Sequence, residues 1–178
     1  MGALFAVEKK RRPRGRYTPP EHPSNRYFDT VIPPIKRRGG EVLEFLGDGI
    51  LAILHESGER SAREACKLAF EAARQGLDGL SALKHDLSFT PQHLKAGFAL
   101  HYGEVSYGNI GAGDRLDFTV IGPDVNLTSR IERLCRELDR NLIMSEEFVR
   151  YLDAPVSEIG HFRLRGFSRM QLLFGLPA

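Results

Sequence analysis

The segment Asp117-Phe-Thr-Val-Ile-Gly-Pro-Asp-Val-Asn-Leu-Thr-Ser-Arg130 restricts the fold more than any other part of the chain. An apolar run stops at Gly122-Pro123, a dipeptide that punctuates structure, and Asp124 follows as a helix-opening residue. The pattern predicts a strand over 115–121, a tight turn, and a helix over 124–138. In that helix Asn126 and Arg130 are four apart and share one face, one turn above the other. An amide and a fixed-charge guanidinium near a helix N-terminus suit a phosphate or a developing oxyanion. A capping Asn and a solvated Arg is the plainer alternative, and spacing alone does not choose between them.

A second segment, Glu41-Val-Leu-Glu-Phe-Leu-Gly-Asp-Gly-Ile-Leu-Ala-Ile-Leu54, sets two apolar runs around Gly47-Asp48-Gly49. That is a hairpin signal. A carboxylate at a hairpin tip, beside glycines that let a ligand reach the backbone, has the chemistry of a Mg²⁺ ligand. Asp-Gly is equally a good turn dipeptide.

The remaining pattern fills in the architecture. Tyr27, Phe28, Val31, Ile32 and Ile35 make an apolar stripe for a helix over 25–38, strained by Pro33-Pro34 and ended by Gly39-Gly40. Residues 60–75 read as an amphipathic helix, and 76–92 as loop or short helix. Leu94, Ala96, Phe98 and Leu100 alternate, giving a strand over 94–102. Gly103–Gly113 is rich in glycine and reads as a turn or flap. It lacks the Gly-Lys-Ser/Thr ending of a phosphate loop, and no Gly-x-Gly-x-x-Gly follows a strand. A short strand at 142–144 leads to Ser145, which caps a helical turn over 146–152. A closing hairpin over 162–165 and 170–174 turns at Gly166. Strands and helices interleave without the regular alternation of a doubly wound sheet. The expectation is an α+β fold: a ferredoxin-like, antiparallel-dominated sheet with helices packed on one face.

Charge is uneven. Residues 1–23 carry Lys9, Lys10, Arg11, Arg12, Arg14 and Arg16 against Glu8 and Glu21, a net of +4, which leaves −2 for the remainder. Pro13, Pro19, Pro20 and Pro23 oppose regular structure there. Residues 1–23 therefore read as a disordered or aberrant basic arm, and 24–178 as one folded domain. The strands lack the interleaved exposed aromatics that stack nucleic-acid bases, so no nucleic-acid partner is expected. No apolar run approaches the ~20 residues of a membrane span. The charged start is unlike a secretory signal, and Cys66 and Cys135 have no metal-ligand spacing, which together fit the cytoplasm. His101, before the glycine-rich turn, reads as structural.

Five blocks in order resemble the catalytic domain of the class III nucleotidyl cyclases, the adenylate and guanylate cyclase family. They are Asn25-Arg-Tyr-Phe-Asp29, the 41–54 hairpin, Gly103-Glu-Val-Ser-Tyr-Gly-Asn-Ile-Gly111, the 117–130 segment and Leu164-Arg-Gly-Phe-Ser168. The resemblance implies conversion of ATP, or less favourably GTP, to the 3′,5′-cyclic nucleotide and pyrophosphate. It implies Mg²⁺ or Mn²⁺ in a two-cation site, with Asp48 as one metal ligand beside Gly47. It makes Asn126 the ribose-positioning residue and Arg130 the transition-state arginine. Arg165 stands where the family has a triphosphate-binding Lys, with a fork in place of a point charge. Glu44 and Thr119 take the two base-selecting positions. A carboxylate at 44 accepts from guanine N1–H and its amino group. Thr119 is the residue of many bacterial adenylate cyclases, so the pair is mixed. The family's first metal Asp lies in a Phe-x-Asp-x-x-Gly-Phe-Thr strand segment absent here. Leu4-Phe5-Ala6-Val7 echoes that strand, with Val7 where the Asp would fall. The family builds its sites between two protomers, so a homodimer is expected. The alternative is a catalytically impaired nucleotide-binding or dimerisation module in signalling.

Overall fold

A computed structural model describes residues 1–10, 23–46, 49–84, 95–112 and 115–177. The elements in chain order are β1 (Gly2–Lys10), α1 (Pro23–Arg37), β2 (Glu41–Leu46), β3 (Gly49–His55), α2 (Ala62–Lys84), β4 (Lys95–Gly103), β5 (Ser106–Ala112), β6 (Arg115–Ile121), α3 (Pro123–Glu137), β7 (Leu142–Ser145), α4 (Glu146–Val149), β8 (Ser157–Phe162) and β9 (Gln171–Gly175). Seven strands form one sheet in the order β2-β3-β1-β4-β7-β9-β8, while β5 and β6 form a separate two-stranded ribbon. Among the described strands only the β4–β7 pairing, Phe98 opposite Leu142, is parallel. The α+β class and the antiparallel-dominated sheet are as expected.

The first ten residues overturn one expectation. Residues 2–10 are no arm. They form a central strand of the sheet, antiparallel to β3 on one side and β4 on the other. Phe5 stands opposite both Ala52 and Leu100, and Val7 opposite both Ile50 and Phe98. Ala3, Leu4, Phe5, Ala6 and Val7 are all at most 4% exposed. A strand covered on both faces needs an unbroken apolar run, and those five residues supply it. Residues 2–10 thus belong to the folded sheet, on the far side of the boundary expected at residue 24. The Pro-rich part of the expected arm, residues 11–22, lies outside the described residues.

Helices divide between the two sheet faces. Ala3, Phe5 and Val7 of β1, with Phe98 and Leu100 of β4, pack against Tyr27, Val31 and Ile35 of α1 and Ala65, Ala69 and Ala73 of α2. Phe148 of α4 joins that face. The alternate residues Ala6, Leu51, Ala99 and Ile143 meet Val125, Leu127, Ile131 and Cys135 of α3 on the other. The single-face arrangement therefore describes α1, α2 and α4, while α3 crosses over because its own apolar stripe fits the residues of opposite parity.

Local signals set the element ends. The chain leaves α1 through Gly39, whose φ of 72° is the left-handed geometry that glycine adopts without a Cβ penalty. Gly39 N–H donates to Lys36 O at 3.0 Å and Gly40 N–H to Ile35 O at 3.0 Å, the bond pair of a Schellman motif. Pro123 follows the N-cap residue Gly122 at the start of α3, where a missing N–H matters least. Ser145 Oγ accepts from Phe148 N–H at 3.2 Å, the expected cap of α4. One expectation changes, since α2 runs on to Lys84. The glycine-rich segment carries a turn between Gly103 and Ser106, and its remaining described residues are strand, paired along β6 from Ser106 opposite Ile121.

Candidate functional site

Three elements converge beneath the β2–β3 hairpin. A cavity of about 310 Å³ is lined by Ala6 and Val7 of β1, by Leu46, Gly49 and Ile50 of the hairpin, and by Ser129, Glu132 and Arg133 of α3. Gly47 and Asp48, the expected tip and metal ligand, lie outside the described residues; their neighbours Leu46 and Gly49 line the cavity. Glu132 is 4% exposed, a carboxylate in an otherwise apolar helix surface. The sequence offered a signal for it. Val125, Thr128, Glu132 and Cys135 fall at a core-facing helical spacing, and Glu132 is the charged exception. Ser129 and Arg133 are four apart beside it and were likewise missed.

Asn126 and Arg130 lie on α3 but do not line this cavity. Asn126 is exposed, its N–H donating to Gly122 O at 3.2 Å, and Arg130 is half-buried. Their shared face is as the spacing required. Glu44 is half-buried on β2, opposite Leu51 and next to an irregularity in the pairing that follows Val42. Thr119 stands opposite Gly108 in the ribbon. Arg165 is exposed in the turn after β8, next to the buried Leu164, whose carbonyl accepts from Phe167 N–H at 3.1 Å. Within one chain, then, the hairpin flanks and one side of α3 meet at the cavity. Asn126, Arg130 and Arg165 are not among the residues that line it.

A buried polar network adjoins the α3 N-terminus. His101 of β4 is 2% exposed, with Nδ1 2.7 Å from Ser145 Oγ and 3.8 Å from Glu147 Oε2. Its Nε2 lies 3.4 Å from Asp124 Oδ1, too long and poorly aligned for a full hydrogen bond. Asp124 Oδ2 accepts from Glu104 N–H at 2.7 Å. The imidazole facing it, ahead of the Glu104 amide, holds the Asp124 carboxyl below its ordinary value, and burial opposes them.

The sequence is 32% identical over 133 residues to an adenylate cyclase of Anabaena cylindrica, spanning 75% of this chain and 26% of that protein. It is 28% identical over 157 residues to adenylate cyclase 2 of Rhizobium meliloti, spanning 85% of this chain and 42% of that one. The crystal structure of the adenylyl cyclase CyaB from P. aeruginosa superposes with a TM-score of 0.80 at 19% identity, covering 99% of this chain and 93% of that one. This chain is a class III nucleotidyl cyclase domain. A bacterial light-regulated adenylyl cyclase gives a TM-score of 0.77 at 21% identity, covering 98% of this chain and 88% of that one. No family model matches the chain. The domain spans a quarter to two-fifths of these two curated relatives, so their activities as whole proteins do not transfer with it. Among the described residues no helix is long and apolar enough to cross a membrane.

Proposed function

We propose that this cyclase domain converts ATP, and less favourably GTP, to the 3′,5′-cyclic nucleotide and pyrophosphate at a site shared by two copies of the chain. The observation carrying this reading is that the exposed Asn126 and the half-buried Arg130 of α3 do not line the cavity under the hairpin. In this reading each chain supplies two half-sites, and a twofold partner would bring the hairpin of one to the α3 face of the other. Phe45 on β2 is 59% exposed, Leu46 44%, and Ile121 at the end of β6 43%, which supports an apolar partner surface around the hairpin.

In this reading the ribose 3′-hydroxyl attacks the α-phosphorus. A new P–O bond forms, the bond to the bridging oxygen breaks, and pyrophosphate leaves with that electron pair. Arg130 donates to the oxygens on which charge gathers, an effect on the order of 10³-fold or more in phosphoryl transfer. Asn126 orients the ribose, and Arg165 grips the terminal phosphates as a fork. Glu44 and Thr119 meet the base. Gly47 allows close approach at the tip, and Asp48 is the cation ligand.

Among the described residues no three or more His, Cys, Asp or Glu side chains cluster as metal ligands. The expected ligand Asp48 lies outside them, and β1 presents the buried, apolar Val7. Val7 also favours the second reading, an impaired nucleotide-binding or dimerisation module in signal transduction.

Purified protein given ATP or GTP with Mg²⁺ or Mn²⁺ separates the two. Product above an Asp48→Ala control supports the enzyme, and equal rates leave the module. Mixing Asp48→Ala with Arg130→Ala chains should restore one intact site per dimer. Absence of rescue between two folded variants refutes the shared site.

A further inference from the structure

We propose that Asp124, backed by His101, latches the first turn of α3 to the β4–β5 turn and so positions Asn126 and Arg130. The proposal rests on the reading of that pair as the reacting residues. α3 begins at Gly122 with no side-chain cap hydrogen bond. Asp124, in the first helical turn, instead reaches out of the helix and accepts from the Glu104 amide at 2.7 Å. Gly103 makes room for it. A Cβ at 103 would stand 2.7 Å from Asp124 Cβ and would overlap the carboxylate. Close approach, rather than a turn geometry, is the reason for glycine at that position.

His101 faces the other carboxylate oxygen at 3.4 Å and is itself fixed. Ser145 Oγ accepts from Phe148 N–H, so its hydroxyl hydrogen is available to His101 Nδ1 at 2.7 Å. When Nδ1 accepts from that hydroxyl, the ring presents its N–H on Nε2, facing Asp124. Asp124 from α3 and Glu147 from α4 are the charged groups facing the imidazole, with the Ser145 hydroxyl between β7 and α4. Three elements thereby converge on the base of the helix that carries Asn126 two residues later and Arg130 six residues later. The imidazole, ahead of the Glu104 amide, favours the ionised Asp124 carboxylate, and burial opposes them.

The test compares Asp124→Ala, which removes both contacts, with Asp124→Asn, whose amide oxygen still accepts from Glu104 and whose NH₂ meets His101 in its other tautomer. Amide hydrogen exchange and steady-state turnover are measured on both variants and on the unmodified chain. Asp124→Ala should speed exchange at Glu104 and Asn126 by tenfold or more, leaving Ile131 and Cys135 unchanged. It should lower kcat on the order of 10²-fold with little change in KM, as expected for a misplaced reacting group. Asp124→Asn should recover most of both losses. Unchanged exchange at Glu104 and Asn126 in Asp124→Ala overturns the latch whatever the turnover. Faster exchange with unchanged kcat overturns its positioning role. No product from the unmodified chain, together with faster exchange in Asp124→Ala, sinks the cyclase reading and leaves the latch in place.

Discussion

Phe5→Ala tests whether the N-terminal residues are structural. Phe5 is completely buried and sits between Ala52 and Leu100 on the neighbouring strands. Its ring meets Phe98 edge-on, with centroids 5.5 Å apart and planes at 90°. Truncating a buried Phe removes its transfer free energy and leaves a cavity, together about 3–5 kcal/mol. Edge-to-face geometry accounts for about 0.5–1.5 kcal/mol of coupling beyond area. With a urea m-value of about 2 kcal/mol/M, the midpoint should fall by about 1.5–2.5 M. Equilibrium unfolding followed by far-UV circular dichroism measures the shift. A double-mutant cycle with Phe98→Ala then isolates the pair. An arm outside the core would give a change within about 0.5 kcal/mol and no coupling. That result would refute the placement of β1 in the sheet.

Gly39→Ala should cost about 1–2 kcal/mol in thermal unfolding, because φ of 72° disfavours a Cβ, and Gly39→Asn should cost less. The added Cβ would also stand 2.6 Å from Arg60 Nη2, disturbing its bonds to Arg38 O and Gly39 O. Folding depresses the Asp124 pKa, so its contribution is fully present above the unfolded carboxylate value and is lost as pH falls through the folded one. Urea midpoints from about pH 6 to pH 3 should therefore fall less in Asp124→Asn than in the parent, and parallel slopes would contradict the assignment. Burial first, and then the Glu56 charge, pushes the Cys66 thiol up to about 12. In the folded chain at about pH 8, alkylation mapped by mass spectrometry should spare Cys66 and proceed in urea; labelling at the rate of a free thiol would contradict its burial.

The strand–turn–helix around Gly122-Pro123, the β2–β3 hairpin and the Ser145 cap were legible because each rests on signals a few residues apart. β1 was not. Its apolar run is five residues long and abuts a dense basic stretch, and a strand covered on both faces shows no alternation. Its partners, around residues 52 and 100, are far away in sequence. The helix read over 60–75 continues through Gly76 and Gly79, which are contact points. A Cβ at Gly76 would come within 3.1 Å of Phe98, and one at Gly79 within 2.6 Å of Thr30, so the helix seats closely on the sheet and on α1. The glycines of 103–113 suggested a flap because local propensity takes no account of the hydrogen bonds β6 provides. Periodicity placed Asn126 and Arg130 on one helix face. It could not say which sheet face α3 covers, and so could not separate that pair from the cavity.

β1 has one more consequence. Among the described strands β3 and β4 never pair with each other; each bonds to β1 instead. Residues 2–10 are thus the seam between a two-stranded and a four-stranded half. Synthesised before either neighbour, they must wait for Gly103 before the last one is complete. A chain lacking them would expose two raw strand edges to other copies, and insolubility is the outcome such edges invite.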